Sequence, residues 1–236
     1  LNNDIGGVIF DGVMVCEFWE KYIKHIPCVG LNYINPDIEC SWVKLDDENR
    51  SYQAVSHLVK LGHRRIGFLS DECEEPVPKA RLDAYLKAMS QFGLEVRKEW
   101  LMTWQRERVN GELKPEYRVP NYRKHIMPAF SIPDSPTGII CFDNWRALCT
   151  MRALEKIGLR IPADVSIIGG YNDSPEYFNC TAFRDRIDDL CSEAAMLLVS
   201  MIEAKTQIPD RTILLKPKLI VGGTTAPPPQ ANMQYQ

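Results

Sequence analysis

Long apolar runs are absent from this sequence, and so is any strong excess of charge. No stretch of about 18 apolar residues occurs, which excludes a membrane-spanning helix, and the first residues lack the basic-then-apolar pattern of a secretion signal. The formal net charge of -3 does not indicate a nucleic-acid-binding surface, and there is no cluster of Lys or Arg that would favour binding to an anionic membrane. We therefore expect a cytoplasmic protein whose own residues contact neither membrane nor DNA.

Cysteine and histidine are present, but they are not arranged as metal ligands. The 8 cysteines form no CxxC pairs and are scattered through apolar segments, which favours reduced, buried thiols over a disulfide framework. The 4 histidines also lack metal-ligand spacing, so we expect no metal site. There is no G-x-G-x-x-G after a strand, no G-x-x-x-x-G-K-[ST] and no G-x-S-x-G. These absences argue against an enzyme and against a bound cofactor.

What the chain does contain is a repeated strand-helix order, clearest over residues 136–175. Residues 137–142 are an apolar run of strand length, a helical pattern follows and ends at Gly158, and residues 165–168 form the next strand. Strands that are apolar throughout need cover on both faces, which is typical of parallel sheets. The order recurs through the chain, so we predict an α/β protein in which two lobes of parallel sheet face a cleft.

Polar side chains follow the strands of this stretch. Asp143, Asn144, Trp145, Asn172 and Asp173 come directly after predicted strands. Ligands of open α/β sheets bind outside the carboxyl ends of the strands, so these residues are candidates for one crevice. Asp and Asn at such positions are also common helix N-caps and turn formers, and the sequence leaves both interpretations open.

Two further features bear on a ligand site. The polar run Asp46-Asp47-Glu48-Asn49, acidic at its first three positions, leads into a helix that Gly62 ends, where it can cap the helix or contribute to a polar cluster near the crevice. Arg81 falls in the first turn of a helix predicted over residues 80–89, where the helix dipole disfavours a cation, so an anionic or polar group should compensate it. The guanidinium of an Arg can donate hydrogen bonds to two neighbouring hydroxyls or to a carboxylate. The alternative interpretation of Arg81 is a surface salt bridge.

Several blocks of the chain, in order, resemble the effector-binding domain of the LacI/GalR family of bacterial transcription regulators. The blocks are GHRRI at 62–66, RLDAYLKAM at 81–89, GLRIPADVSIIG at 158–169, YNDSP at 171–175 and LLKPKLIVGGTT at 214–225. The resemblance runs through almost the whole chain. It implies a two-lobed periplasmic-binding-protein-like (type I) α/β fold with parallel sheets and a small ligand between the lobes.

The resemblance also implies how the chain is divided. Lobe one is expected to comprise residues 1–70 and 187–208, and lobe two residues 71–186 and 209–226, with a single apolar strand over 213–221. Residues 227–236 are expected to be a disordered tail. The family's DNA-reading helix-turn-helix and the first part of lobe one should precede residue 1, so we expect lobe one to be incomplete and the chain to be a fragment.

The resemblance assigns ligand-binding positions residue by residue. Arg81, Asp143 and Asn172 occupy positions that usually contact the effector. Asp47 stands where an Asn is common, and Trp145 could stack on a sugar face. All five are candidate ligand-binding residues.

The sequence departs from the family pattern at several of these positions. The usual Asn-Asp order is reversed at Asp143-Asn144, Ala84 and Arg50 each replace a usual Gly, and Gly169-Gly170 adds a residue before Tyr171. The identity of the sugar therefore cannot be transferred.

Three functional classes follow. The first is a cytoplasmic sugar-responsive regulator, a homodimer that reads operator DNA through a domain absent from this chain. The second is a periplasmic sugar-binding receptor of a transporter, which shares the fold. An enzyme of the doubly wound class is the third, and the missing catalytic motifs argue against it.

Overall fold

The computed structural model describes residues 5–11, 16–71, 76–104, 108–109, 112–113, 122–170, 179–185, 187–204 and 209–230. The strands are β1 Val8–Asp11, β2 Cys28–Leu31, β3 Ser41–Leu45, β4 Ile66–Asp71, β5 Leu101–Trp104, β6 Arg108–Val109, β7 Glu112–Leu113, β8 Gly138–Cys141, β9 Ser166–Gly169, β10 Thr181–Arg184, β11 Thr212–Leu215 and β12 Lys218–Ile220. The helices are α1 Cys16–Phe18, α2 Asp47–Leu61, α3 Pro76–Gln91, α4 Tyr122–Phe130, α5 Asn144–Glu155 and α6 Ile187–Glu203. A π-helical turn spans Trp19–Ile23, and a 3-10 turn spans Lys98–Trp100.

The chain divides into two compact units. The first unit consists of Leu1–Asp46 and Arg186–Pro217, and the second of Asp47–Asp185 and Lys218–Gln236. The chain therefore passes between the units three times, after Asp46, Asp185 and Pro217.

The first unit is built on a four-stranded parallel sheet of order β1-β2-β3-β11. Alternate residues of β2 and β3 point to opposite faces. On one face, Val29 and Val43 pack with Leu190 and Leu197 of α6. On the other face a second apolar cluster contains Trp19, Ile23, Cys28, Ile38, Cys40 and Trp42. Both faces are apolar, as a buried parallel sheet requires.

The second unit is built on a six-stranded sheet of order β12-β10-β9-β8-β4-β5. All neighbouring strands are parallel except β10 and β12. Helices α2 and α3 cover one face through a cluster that includes Leu58 and Tyr85, and α4 and α5 cover the other through a cluster that includes Ile126 and Leu154. The predicted strand-helix-strand over residues 136–175 is confirmed as β8, α5 and β9, and both strands are buried along their whole length.

The unit boundaries of the structure differ from the predicted lobe boundaries. The sequence placed residues 1–70 in lobe one, but β4 hydrogen-bonds between β5 and β8 inside the six-stranded sheet. The second unit therefore begins at Asp47 and not at residue 71. On the return, β11 pairs with β3 and belongs to the first unit, although the sequence placed residues 209–226 in lobe two.

The predicted strand over residues 213–221 is two strands. Pro217 lies between β11 and β12, and proline has no N–H for a ladder hydrogen bond. The interruption falls where the chain passes from one unit to the other. The predicted disordered tail is described in part: residues 227–230 are included, and 231–236 lie outside the described residues.

None of the helices in the described parts of the chain is long and apolar enough to cross a membrane.

Candidate functional site

Charged side chains gather at the carboxyl edge of the six-stranded sheet. Asp143 follows β8, Gly170 follows β9 and Asp185 follows β10. These strands are parallel, so their carboxyl ends lie at one edge. The N-termini of α2 and α3 also lie at this edge. Helix α3 begins after the end of β4, whereas α2 ends just before the start of β4, so that its C-terminus lies at the opposite edge. Asp47, the first residue of α2, and Arg81 of α3 contact each other at the carboxyl edge.

Arg81 is held on three sides. Its Nε donates to Asp47 Oδ1 at 3.2 Å, and its Nη1 donates to the backbone carbonyl of Phe142 at 2.8 Å. The guanidinium also lies over the Phe142 ring, 4.3 Å from its centroid. The side chain is 18% exposed. Helix α3 begins at Pro76, so Arg81 lies in its second turn and not in the first turn that the sequence predicted; an anionic group nevertheless pairs with the cation, and the group is Asp47.

Asp47 is shared between two arginines. Its Oδ1 lies 3.2 Å from Arg81 Nε and 3.8 Å from Arg50 Nε. The second distance is too long for a hydrogen bond, and among the described residues Arg50 Nε has no hydrogen-bond partner although it is buried. Asp47 therefore bonds Arg81 in this structure and lies within a short movement of Arg50.

Arg50 is the most deeply buried charge of the cluster, with a side chain only 6% exposed. It donates from Nη1 to the carbonyl of Gly170 and from Nη2 to Asp185, and its guanidinium lies 4.9 Å from the Phe183 ring centroid. Burial lowers the pKa of Arg50, and the nearby Arg81 charge lowers it further, while Asp185 and Asp47 oppose this. Burial raises the pKa of Asp185, and Arg50 opposes that rise.

Gly170 allows the backbone of the β9 end to approach β8 closely. A Cβ at this position would lie 2.1 Å from the carbonyl oxygen of Phe142, so any larger residue would force the two backbones apart. The close approach places the Gly170 carbonyl where Arg50 can reach it.

Asp143 is the N-cap of α5. Its Oδ1 accepts from the backbone N–H of Arg146 at 2.7 Å, and its Oδ2 forms an ion pair with the Arg146 side chain. The capping interpretation of Asp143 is therefore the one that the described contacts display. The carboxylate remains 33% exposed, which leaves room for an additional donor.

Trp145, Asn172 and Asp173 are the remaining candidates. Trp145, in the first turn of α5, is 47% exposed. Asn172 and Asp173 fall outside the described residues. The structure thus brings Arg81 and Asp47 into contact and shows Asp143 near them, bonded to its own helix.

Sequence reasoning missed Arg50 and Asp185 as members of this cluster. Arg50 was noted only as a replacement for glycine, although the argument made for Arg81 applies to it as well, since it too lies near a helix N-terminus. Asp185 is 135 residues away along the chain, and no local pattern connects the two.

The cluster is electrically balanced. Three arginines, at positions 50, 81 and 146, face three aspartates, at positions 47, 143 and 185, and each arginine has an aspartate partner. Within the described part of the chain, no group of three or more His, Cys, Asp or Glu side chains is arranged to hold a metal ion.

Comparison with known proteins connects this architecture to a family. The profile of the periplasmic binding protein-like domain matches residues 55–225. The arabinose metabolism transcriptional repressor of Geobacillus stearothermophilus is 28% identical over 206 residues, which cover 85% of this chain and 54% of that protein. The transcriptional repressor PurR of Mannheimia succiniciproducens is 30% identical over 227 residues, covering 89% and 63% respectively. This chain thus spans little more than half the length of these relatives.

A solved structure agrees in fold. The regulatory protein of the LacI family from Chloroflexus aggregans superposes with a TM-score of 0.77 at 25% identity, over 94% of this chain and 77% of that one. These matches confirm the predicted type I periplasmic-binding-protein-like fold with parallel sheets. The relatives named here are transcriptional regulators. The chain belongs to the periplasmic binding protein-like domain family, in the form of the effector-binding domain of LacI/GalR regulators.

Proposed function

We propose that this chain senses a small, uncharged, polyhydroxylated molecule, a sugar, on behalf of a transcription regulator. The ligand binds at the carboxyl edge of the six-stranded sheet, where open α/β sheets hold their ligands. Arg81 is the principal ligand-contacting residue. The relative that acts in arabinose metabolism supports a sugar.

The geometry of Arg81 carries this proposal. Its Nε and Nη1 hold it against Asp47 and the Phe142 carbonyl, and no hydrogen bond among the described residues uses Nη2. The Phe142 ring below the guanidinium fixes its plane. A rigid, partly exposed donor beside a carboxylate acceptor matches a pair of neighbouring hydroxyl groups, which need one donor and one acceptor.

The charge balance of the cluster favours an uncharged ligand. Each arginine is already paired with an aspartate, so a phosphate or carboxylate would meet Asp47 as a like charge beside Arg81. A neutral hydroxyl pair adds hydrogen bonds without disturbing this balance.

The other predicted residues take supporting roles in the proposal. The exposed ring of Trp145 is available to stack on an apolar sugar face. Asp143, already bonded to Arg146, accepts one additional hydroxyl on its exposed side. We propose Asn172 as a further hydrogen-bonding partner on the basis of its sequence position.

Asp47 offers a way for binding to be transmitted. If a ligand draws Arg81 away, Asp47 Oδ1 can move toward Arg50 Nε, which is 3.8 Å away and lacks a hydrogen bond among the described residues. The chain enters the second unit at Asp47 and leaves it after Asp185. Ligand binding would then change the interactions of the residues at which the chain crosses between the units.

In the complete regulator, we propose that this signal alters the affinity for operator DNA of a domain that lies outside this chain. The regulator acts as a homodimer in the cytoplasm, where its DNA is. A sugar-binding receptor of a transporter shares the fold, but the relatives named above favour a regulator.

Calorimetric titration of the purified chain tests the proposal. The probes are L-arabinose, D-ribose, D-glucose and cellobiose, with glucose 6-phosphate as the anionic comparison. At least one neutral sugar should bind, and Arg81→Ala should weaken that binding by about 10- to 100-fold, the equivalent of one lost charge-assisted hydrogen bond.

Arg97 provides the matched control. It also lies over an aromatic ring, Trp100, and pairs with carboxylates, but at Glu95 and Asp134. Arg97→Ala should leave sugar affinity unchanged. Equal binding by wild type and Arg81→Ala, or tighter binding of the phosphate than of every neutral sugar, would contradict the proposal.

A further inference from the structure

The first unit contains a pair of cysteines at the start of two neighbouring parallel strands. Val29 of β2 pairs with Ser41 of β3, so the residues that precede them, Cys28 and Cys40, lie side by side. Neighbouring strands are about 4.7–4.9 Å apart, and a disulfide accepts Cα separations of about 4.4–6.8 Å. The backbone spacing is therefore suited to a disulfide without a large rearrangement.

The two side chains also point to the same face of the sheet. Both belong to the apolar cluster of Trp19 and Trp42, on the face opposite Val29. Both are free thiols in this structure, and they are 3% and 6% exposed.

The two thiols are not equivalent. A hydrogen bond from the Cys28 thiol lowers the pKa of Cys40, and the backbone N–H of Gly30 lowers it further, against the effect of burial. The same thiol-thiol hydrogen bond raises the pKa of Cys28, and burial adds to the rise. Cys40 therefore loses its proton more readily than Cys28 and is the better nucleophile of the pair.

The pair lies close to the protein surface. Asp210 is exposed, yet it is near enough to raise the pKa of both thiols. The neighbouring Arg211 carbonyl accepts a hydrogen bond from the Trp42 N–H, which places the start of β11 beside the start of β3.

We propose that Cys28 and Cys40 are a site of oxidative modification, at which hydrogen peroxide converts the two thiols into a reversible disulfide joining β2 and β3. This site is separate from the proposed sugar site and does not depend on it.

The reaction balances in two steps. The Cys40 sulfur attacks one peroxide oxygen; the S–O bond forms as the O–O bond breaks, and the departing hydroxide takes a proton to become water. The Cys28 sulfur then attacks the Cys40 sulfur; the S–S bond forms as the S–O bond breaks, and the Cys28 proton leaves with the hydroxide as a second water. Two thiols are oxidised and one peroxide is reduced to two waters.

Peptide mass spectrometry of the peroxide-treated folded chain tests this. Cleavage on the N-terminal side of Asp37 and after Lys24 separates Cys28 from both Cys40 and Cys16, so a Cys28–Cys40 disulfide appears as two linked peptides that dithiothreitol releases. The linked mass should lie about 2 Da below the sum of the two reduced peptides, for the two hydrogens lost.

Cys141 and Cys180 are the internal controls. Both are buried thiols whose pKa is raised by burial, and they lack a low-pKa partner. They should stay reduced while Cys28 and Cys40 become linked. In Cys28→Ser, Cys40 should instead be trapped as a sulfenic acid by dimedone, and in Cys40→Ser, Cys28 should stay reduced.

The wild-type result decides the matter even if a variant fails to fold. Persistence of both thiols under peroxide, over-oxidation of Cys40 without a link to Cys28, or oxidation of Cys141 and Cys180 at the same rate as this pair would overturn the proposal.

Discussion

The ion pair between Arg50 and Asp185 is the contact whose loss should cost the second unit most. Both side chains are nearly buried, at 6% and 8% exposure, so little solvent screens the charge that remains when one partner is removed. Breaking a buried ion pair from one side costs about 3–5 kcal/mol. Since whole domains are stable by about 5–15 kcal/mol, Arg50→Met should lose a large part of the stability of the second unit.

The double variant distinguishes the cost of leaving one buried charge unpaired from the cost of losing the ion pair itself. Arg50→Met with Asp185→Leu leaves no unpaired buried charge, and only the Gly170 carbonyl loses its donor, at about 1 kcal/mol. The double variant should therefore be at least about 2 kcal/mol more stable than Arg50→Met alone. Urea denaturation at pH 7, followed by far-UV circular dichroism, measures both values.

The pH dependence gives a second measurement of the same contact. Burial already raises the pKa of Asp185, and Arg50 restrains that rise, so Arg50→Met should raise the pKa of Asp185 further. A carboxyl group whose folded pKa is raised binds more protons in the folded state, so stability falls as pH rises through that pKa. The deficit of Arg50→Met relative to wild type should therefore shrink as pH is lowered toward the raised pKa.

Lys87→Met serves as the matched control, because Lys87 pairs with Glu48 of α2, the helix that also carries Arg50, but in the open, at 54% and 67% exposure. Exposed pairs contribute about 0–1 kcal/mol, so this variant should change little. The reasoning is refuted if Arg50→Met is no more destabilising than Lys87→Met, or if the double variant recovers nothing.

Variants at three further positions address other contacts of the second unit. Asp143→Ala should cost about 1–2 kcal/mol in urea denaturation, because α5 loses its N-cap and Arg146 its ion pair, whereas Asp143→Asn should cost less because it keeps the capping oxygen. Burial lowers the pKa of His63 below its ordinary 6.5, so the unfolded chain binds more protons there and wild-type stability should fall as pH drops below about 6.5; His63→Gln should flatten this dependence, and an unchanged slope would contradict it. Tyr85→Phe should cost about 1 kcal/mol, since the buried hydroxyl donates to the Ile66 carbonyl at 2.8 Å, and equal urea midpoints would contradict that value.

The sequence could predict those parts of the fold that local pattern determines. Strands β8 and β9 are apolar at every position because both faces are covered, and α5 ends before Gly158, whose φ of +84° suits glycine. Local reasoning also predicted an anionic or polar partner for Arg81, which Asp47 supplies, although it placed the helix start at residue 80 and α3 begins at Pro76.

Features that depend on distant pairing could not be predicted. Strand β4 reads as an ordinary buried strand, and only its hydrogen bonds to β5 and β8 assign it to the second unit. The partner of Arg50 is Asp185, far along the chain, and an aspartate after a strand has no signature that distinguishes this role from a cap. For Asp143 the sequence predicted a ligand contact, whereas the structure shows its side chain bonded to its own helix.

Binding of an uncharged sugar at Arg81 would be visible in a crystal structure of the chain with whichever neutral sugar binds most tightly. Sugar hydroxyl oxygens should lie about 2.7–3.2 Å from Arg81 Nη2 and from an oxygen of Asp47. A sugar bound elsewhere, with Arg81 still bonded only to Asp47 and the Phe142 carbonyl, would contradict it.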